Sequence, residues 1–171
     1  MPYVYLVRHA QAEPVGSFCV GSGTDLSLTE EGDRCAAGLC RCFQGMPPAP
    51  VYASPLRRSV ETARLLAGPD RPVQIEDDLR ELDMGCWEGK SFASIQEEYP
   101  QLYTARGSDH ALQPPGGESY PAAAARMERA LNAIAAGLDS QEERVVVSHS
   151  GAMRAFLCKA TGTPYSQNRI W

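Results

Sequence analysis

The stretch YLVRHAQAEP, residues 5–14, joins the end of an apolar strand to an arginine and a histidine. The residues Tyr3–Val7 are β-branched, aromatic or aliphatic, and this pattern predicts a buried strand at the centre of a parallel sheet. The run stops at Arg8 and His9, in a chain that has three histidines. Ligands of open parallel sheets bind beyond the carboxyl ends of the strands. Arg8 and His9 are therefore the first candidate site residues.

Strands and helices alternate along the rest of the chain. Hydrophobic periodicity predicts further strands at Val51–Ala53, Pro72–Glu76 and Arg144–Val147, and helices at Thr29–Phe43, Pro55–Ala67, Phe92–Tyr99, from Ser119 to Leu138 and after His149. Such alternation predicts an α/β protein, a three-layer α/β/α sandwich around a mostly parallel sheet. The length of 171 residues and the absence of a linker predict a single domain over residues 1–171.

Two local features complete this expectation. Ser54 is the predicted N-cap of the second helix, with Pro55 at its first helical position. The Pro/Gly-bearing stretch Pro100–Glu118 contains 19 residues, more than a simple connection needs. We expect it to be a long loop that covers the substrate.

Chemically active side chains follow three of the predicted strands. They are Arg8 and His9 after the first, Arg58 after the second and His149 after the last. The carboxyl ends of parallel strands share one edge, so these groups are expected to meet in one crevice. Arginine forks and a helix N-terminus both favour a phosphoryl group. Neighbouring arginines should lower the pKa of His9, and a neutral imidazole is a nucleophile.

Four motifs in this order resemble those of the histidine phosphatase superfamily, in its phosphoglycerate mutase-like branch. They are LVRHA (6–10), SPLRRSVETA (54–63), LRELDMGCWEG (79–89) and VVVSHSGAMR (145–154). The segments TDLSLT (24–29) and PPGGES (114–119) also match phosphatases of this branch. The resemblance is closest to α-ribazole phosphatase-like and broad-specificity phosphatases.

The resemblance implies a phosphomonoesterase that acts on a small phosphorylated metabolite, with α-ribazole 5′-phosphate as one candidate. It makes His9 the nucleophile that becomes a phosphohistidine and Glu81 the proton donor to the leaving group. Arg8, Arg58 and His149 would bind the phosphoryl group. The further expected substrate contacts are Gln11, Gly21, Ser22, Gly23 and Ser150. Neither a cofactor nor a metal is implied.

The chain departs from the family pattern at several positions. Ala10 and Ser150 replace glycines that follow the two histidines, and Val15 stands where many members have a phosphate-contacting asparagine. The family usually continues past the last helix with a further strand. The chain ends at Trp171, so the resemblance implies an edge strand beyond this sequence.

Other readings of these residues stay open. Glu81 and Glu88 could both be solvated loop acids, and only the Leu-x-Glu motif separates Glu81 from Glu88. A phosphoglycerate mutase is the nearest alternative activity, although mutases are longer. The chain could also be a non-catalytic phosphate-binding module, although such members generally lack a catalytic histidine or arginine that is present here. His110 is expected to be a solvent-exposed loop residue.

Composition excludes several other classes of function. The net charge is −5 and no Lys/Arg-rich block occurs, so nucleic acid and anionic membranes are not expected partners. The apolar run Val4–Val7 is too short for a signal peptide or a membrane span, so we expect a cytoplasmic protein. The six cysteines form no CxxC pair, so they are expected to be reduced and a zinc site is not expected.

Overall fold

The computed structural model describes residues 3–13, 16–43, 45, 49–109, 111–136, 138–139 and 142–170. The chain forms two compact units. The first unit comprises Met1–Glu13, Asp25–Arg80 and Arg129–His149, and the second unit comprises Pro14–Thr24, Glu81–Glu128 and Ser150–Trp171. The assignment of all 171 residues to a single domain stays a prediction.

Ten regular elements occur within the described residues. In chain order they are β1 (Tyr3–Arg8), α1 (Glu30–Cys40), β2 (Val51–Ala53), α2 (Arg57–Ala67), β3 (Val73–Ile75), α3 (Phe92–Glu98), α4 (Pro100–Ser108), α5 (Tyr120–Ala135), β4 (Glu143–Ser148) and α6 (Ser150–Thr161). Short 3₁₀ turns lie at Arg41–Phe43, Asp77–Leu79, Gly85–Trp87 and Tyr165–Ile170. None of the helices in this part of the chain is long and apolar enough to cross a membrane.

The four strands form one parallel sheet in the order β1-β4-β2-β3. This sheet, flanked by helices, confirms the predicted α/β class. The predicted central position of β1 is wrong, because β1 lies at an edge of the described sheet. Tyr3 and Tyr5 are 55% and 38% exposed, and the Tyr5 hydroxyl donates to Glu143 Oε1 at 3.1 Å. A tyrosine carries its own polar group, so an aromatic strand residue does not require burial on both faces.

The buried strand is β4, whose residues Val145–Val147 are at most 2% exposed. In the first unit the inner face of α2 packs on this strand and on β2. The packed side chains are Ala63, Leu66 and Ala67 from the helix with Val51, Ala53, Val145 and Val147 from the sheet. Their three- and four-residue spacing is that of one helix face. This packing fixes the N-terminus of α2 near the carboxyl ends of the strands.

The start of α2 differs from the prediction. The helix begins at Arg57, and its N-cap is Leu56, which makes no side-chain capping bond. Ser54 is not the cap, because the helix begins three residues after it; its buried hydroxyl accepts the N–H of Leu56 at 3.3 Å and lies 2.8 Å from Nε2 of His149. The hydroxyl therefore bonds both the turn before α2 and a histidine at the end of β4.

The second unit also corrects the prediction of a loop at Pro100–Glu118. Pro100 occupies the first turn of α4, a position where its missing N–H and fixed φ suit a helix. Two apolar clusters lie in this unit. One joins Cys19, Trp87 and Ile95 with the half-buried Met84, Tyr99, Leu102 and Tyr103, and the other comprises Leu82, Tyr120, Ala123, Ala124 and Ala155.

Candidate active site

The ends of β1, β4 and β2 bring the predicted residues of the first unit together. Arg8 is paired in register with Ser148, and the backbone N–H of His9 donates to the Ser148 carbonyl at 2.9 Å. The ring centroids of His9 and His149 are 5.0 Å apart. The predicted meeting of the two histidines at one sheet edge is confirmed.

His9 is fixed in one tautomer by its neighbour. Its Nδ1 lies 2.7 Å from the carbonyl oxygen of Ala10. A carbonyl accepts hydrogen bonds only, so Nδ1 must carry the proton. In the neutral ring the lone pair is therefore on Nε2, which is the atom available for nucleophilic attack.

The pKa of His9 keeps that ring neutral. The pKa is lowered from the ordinary 6.5 to about 4, chiefly by burial and also by the positive charges of Arg58 and Arg8, while the bond to the Ala10 carbonyl opposes this shift. At neutral pH nearly all molecules therefore carry an unprotonated Nε2. This confirms the expected direction, although burial is a larger cause than the arginines.

Arg58 is the buried cation of the cluster. It lies in the first turn of α2 and is 2% exposed. The hydroxyl of Thr62 donates to the Arg58 carbonyl at 2.7 Å and accepts the Ala10 N–H at 3.0 Å. Thr62 thus ties the backbone that follows His9 to the helix that carries Arg58. Arg8 is exposed.

The adjacent Arg57 has a different environment. Its side chain is 62% exposed and pairs with Glu61 at 3.2 Å. The Ser54-to-Arg58 spacing of the motif therefore selects the buried arginine of the two.

His149 is held from the carboxyl end of β4. It is 0% exposed, and its Nε2 lies within hydrogen-bond distance of Ser54 Oγ. The next hydroxyl along α2, that of Ser59, donates to the Val147 carbonyl at 2.8 Å. Both serines are fully buried, so the second histidine lies in a polar but closed setting.

Glu81 lies in the second unit and is half-buried. Its Oε1 accepts the backbone N–H groups of Leu82 and Ala152, both at 2.9 Å, and its Oε2 accepts the N–H of Gly151 at 3.1 Å. A Cβ atom on Gly151 would lie 2.7 Å from Glu81 Oε1. The lack of a side chain at Gly151 therefore gives this carboxyl group room at the start of α6.

Glu88, the other glutamate of the LRELDMGCWEG motif, forms hydrogen bonds within the chain. Its Oε1 accepts the N–H of Gly21 at 2.8 Å and the hydroxyl of Thr24 at 2.6 Å. The N–H of Ser22 donates to the Leu82 carbonyl at 3.0 Å. The segment around Gly21 is thus bound to the segment that follows Glu81. The amides of Gly21 and Ser22 are engaged within the chain, so substrate contacts of this loop would use other groups.

The remaining predicted residues have varied settings. Gln11 is exposed, and its carbonyl accepts the N–H of Thr29 at 3.0 Å. Gly23 is exposed, and Ser150 is the first residue of α6. Val15 and His110 lie outside the described residues. The substrate contacts assigned to Gln11, Gly23 and Ser150 stay predictions.

The cysteines carry no disulfide. Each of the six is a free thiol, and burial raises the pKa of Cys19 to about 11. In the described part of the chain no group of three or more His, Cys, Asp or Glu side chains is arranged to hold a metal ion.

Sequence reasoning missed the residues that hold this machinery in place. The second motif contains Thr62 but does not indicate its role, and the sequence predicts Ser54 as a helix cap. Arg126, on α5, donates from Nη2 to the carbonyl oxygen of Glu81 at 3.2 Å. The hydrogen-bonding capacity of a side chain is visible in sequence, but its distant partner is not.

Several curated proteins are similar to this chain. Phosphoserine phosphatase 1 of Hydrogenobacter thermophilus is 32% identical over 171 residues, which cover 98% of this chain and 80% of that protein. Adenosylcobalamin/alpha-ribazole phosphatase of Escherichia coli is 29% identical over 94% of this chain and 80% of its own length. The chain spans only 42% of a bifunctional protein of Mycobacterium tuberculosis that it matches at 35% identity.

A solved structure supports the same relationship. The Bacillus stearothermophilus protein YhfR superposes with a TM-score of 0.90 at 26% identity, over 98% of this chain and 84% of that one. The family model of the histidine phosphatase superfamily (branch 1) matches residues 4–171. Since that match covers nearly the whole sequence, the chain belongs to the histidine phosphatase superfamily, branch 1.

Proposed function

We propose that this protein is a metal-independent phosphomonoesterase that hydrolyses a small phosphorylated metabolite through a phosphohistidine on His9. The observation that carries the proposal is the neutral His9, with its proton fixed on Nδ1 and the cations Arg8 and Arg58 beside it. Membership of the histidine phosphatase superfamily supports it. Nucleophile and phosphate-binding charges thus lie in one cluster.

The first step transfers the phosphoryl group to the protein. Nε2 of His9 attacks phosphorus, a P–N bond forms, and the bond between phosphorus and the leaving oxygen breaks. Arg58 and Arg8 offset the charge on the transferring oxygens, a role that a metal ion fills in other phosphatases. His149 donates a further hydrogen bond to these oxygens when its ring is protonated.

The leaving oxygen needs a proton, and we assign this donation to Glu81. The carboxyl group must enter the reaction protonated and leaves it ionised. Its three backbone N–H bonds hold both oxygens in a fixed orientation. A positioned acid of this kind contributes roughly 10² to 10⁴ in rate.

The second step releases phosphate. Water attacks the phosphorus of the phosphohistidine, the P–N bond breaks, and the electron pair returns to Nε2 of His9. The carboxylate of Glu81 takes the proton from the water and is ready for the next cycle. The products are inorganic phosphate and the dephosphorylated alcohol.

Hydrolysis of p-nitrophenyl phosphate with and without EDTA tests the proposal. We expect equal rates under both conditions and a background rate for His9→Ala. Activity that disappears with the chelator would exclude the metal-free mechanism. Equal background rates for the wild type and His9→Ala, over a panel of phosphate esters, would instead favour a non-catalytic phosphate-binding module.

The same panel addresses the substrate. It should include α-ribazole 5′-phosphate and phosphoserine, because the similar proteins named above are phosphatases of those kinds. We expect release of inorganic phosphate from at least one small phosphate ester. Conversion of 3-phosphoglycerate to 2-phosphoglycerate faster than phosphate release would identify a mutase.

A further inference from the structure

A charged pair lies within the second unit beside the segment that carries Glu81. Arg126, on α5, is 7% exposed. Its Nε and Nη2 donate to Oε1 and Oε2 of Glu118, both at 2.8 Å. This is the side-on fork, in which two parallel bonds fix the guanidinium in plane and direction.

The same guanidinium also contacts the segment of the proposed acid. Nη2 of Arg126 donates to the backbone carbonyl of Glu81 at 3.2 Å. The N–H of Glu118 donates to the Asp83 carbonyl at 2.8 Å. Arginine and glutamate therefore hold the backbone on both sides of Leu82.

Close backbone packing reinforces this arrangement. The N–H of Cys86 donates to the Pro115 carbonyl at 2.9 Å. A Cβ on Gly85 would lie 2.3 Å from that oxygen, and one on Gly117 would lie 2.7 Å from the Asp83 carbonyl. The two segments thus approach as closely as glycines allow, and the backbone of residues 81–86 has little freedom to shift.

Stability alone is a weak reason for a buried ion pair. Removing two charges from water costs most of what their attraction returns, and apolar side chains of similar volume often stabilise a fold at least as well. A guanidinium fork, in contrast to apolar packing, fixes the orientation of the groups that it bonds. Here the guanidinium that the fork orients also donates to the backbone carbonyl of Glu81.

We propose that Arg126 is a positioning residue that sets the orientation of Glu81, with Glu118 as its anchor. This inference rests on the proposed role of Glu81 as proton donor. Arg126 bonds the Glu81 segment at its backbone. It acts through the backbone of Glu81, from which the carboxyl group extends.

A proton donor has a signature that structural damage lacks. An alkyl phosphate releases a strongly basic alkoxide, so its cleavage depends on the acid. p-Nitrophenolate is a weak base and leaves without a proton. Misplacement of Glu81 should therefore lower the ratio of kcat/KM for β-glycerophosphate to kcat/KM for p-nitrophenyl phosphate. A general loss of folded protein lowers both values equally.

The test compares this ratio in Arg126→Lys and Glu81→Gln. Lysine keeps the charge but cannot form the fork and reach the Glu81 carbonyl together. We expect Glu81→Gln to lower the ratio about 100-fold or more and Arg126→Lys about tenfold. In the double variant the ratio should equal that of Glu81→Gln alone, because Arg126 then has no acid to position.

Arg129 provides the matched control. It lies on the same helix, pairs with Asp78 at 3.0 Å and has a 65% exposed side chain. We expect Arg129→Lys to leave the ratio unchanged. Thermal unfolding of every variant monitors folding. If Arg126→Lys does not fold, Arg126→Gln combined with Glu118→Gln removes both charges together and should still lower the ratio.

The outcomes separate the two claims. If Glu81→Gln leaves the ratio unchanged, Glu81 is not the proton donor, and this inference fails with the proposed role. If Glu81→Gln lowers the ratio but a folded Arg126 variant does not, only the positioning role fails. A further fall of the ratio when Arg126→Lys is added to Glu81→Gln would also overturn it.

Discussion

The hydroxyl of Ser54 lies 2.8 Å from Nε2 of His149, and both side chains are fully buried. Ser54 follows β2 and His149 follows β4, and the two strands are neighbours in register at Ala53 and Val147. The bond therefore joins two strand ends across the sheet edge. It orients the imidazole that we expect to contact the transferring phosphoryl group.

Substitution of Ser54 by alanine should impair catalysis more than folding. Loss of one hydrogen bond to a catalytic group, about 1.4 kcal/mol, corresponds to about a tenfold lower kcat/KM. Ser59→Ala is the control, since Ser59 is equally buried and its hydroxyl donates to a backbone carbonyl of β4. It should cost about 1 kcal/mol of unfolding free energy with kcat/KM unchanged. Equal kinetic losses in both variants would contradict a specific role of Ser54.

The depressed pKa of His9 predicts a pH-dependent stability. The folded chain protonates His9 at about pH 4, whereas the ordinary value is 6.5. Between these values the unfolded state binds more protons, so the free energy of unfolding falls as the pH falls through this window. The contribution is at most about 3 kcal/mol, since His9 is only partly shielded from solvent. It is fully present above about pH 6.5.

Urea unfolding at several pH values measures this effect. His9→Asn removes the titrating group, so the variant should lose less stability than the wild type between about pH 7 and about pH 4. Parallel curves for the two proteins would show that the pKa of His9 is not depressed.

Two glycines on α1 predict opposite effects of the same change. A Cβ on Gly32 would lie 2.1 Å from the backbone oxygen of Gln11, whereas one on Gly38 would meet only Arg41 Nη2 at 3.8 Å. Gly38→Ala should stabilise the protein by about 0.5 to 1 kcal/mol through helix propensity. Gly32→Ala should destabilise it by about 1 to 3 kcal/mol, because a backbone neighbour must move. Chemical denaturation of both variants decides the point, and the same sign in both would refute it.

Gly151→Ala should directly disturb Glu81, the proposed proton donor. The new methyl group would lie 2.4 Å from Leu82 Cδ1 and 2.7 Å from Glu81 Oε1. The carboxyl group must then leave its place among the backbone N–H groups. We expect kcat/KM for β-glycerophosphate to fall about tenfold more than that for p-nitrophenyl phosphate. Gly38→Ala serves as control, and an equal fall for both esters in Gly151→Ala would argue against displacement of the acid.

Much of the fold follows from local patterns. The β-branched run of β4 and the helical spacing of apolar residues in α2 both predict burial. Both elements are buried against each other in the folded chain. The edge position of β1 could not be predicted, because the sequence does not distinguish exposed tyrosines from buried ones. The order of strands in a sheet depends on long-range pairing, which a local pattern does not contain.

The missed helix α4 has a different reason. The prolines and glycines of Pro100–Glu118 predict a loop, although a proline in the first helical turn is compatible with a helix. Ser54 is not the helix cap because α2 begins only at Arg57, and its hydroxyl bonds the N–H of Leu56 and also lies beside a tertiary partner, His149. Propensity is a weak guide wherever such a partner exists.

In the candidate site, too, some residues could be predicted from local sequence and others could not. Arg8, His9 and His149 could be predicted from their places after strands, and Arg58 from its spacing to Ser54. Glu81 required the family resemblance, because nothing in its local sequence separates it from Glu88. Thr62 and Arg126 act through contacts with distant parts of the chain. Such positioning contacts are visible only in three dimensions.

The strand order has a consequence for how the site forms during folding. β4 lies between β1 and β2 but follows both of them in the chain, and Tyr3 pairs with Glu143. During synthesis β1 and β2 do not pair with each other, and the sheet forms only when β4 has been made and inserts between them. Pairing at such separation is slow, because a long loop must close before any contact forms. The proposed nucleophile His9 and the buried Arg58 are therefore brought together only when β4 completes the sheet, and we expect no partial site before that step.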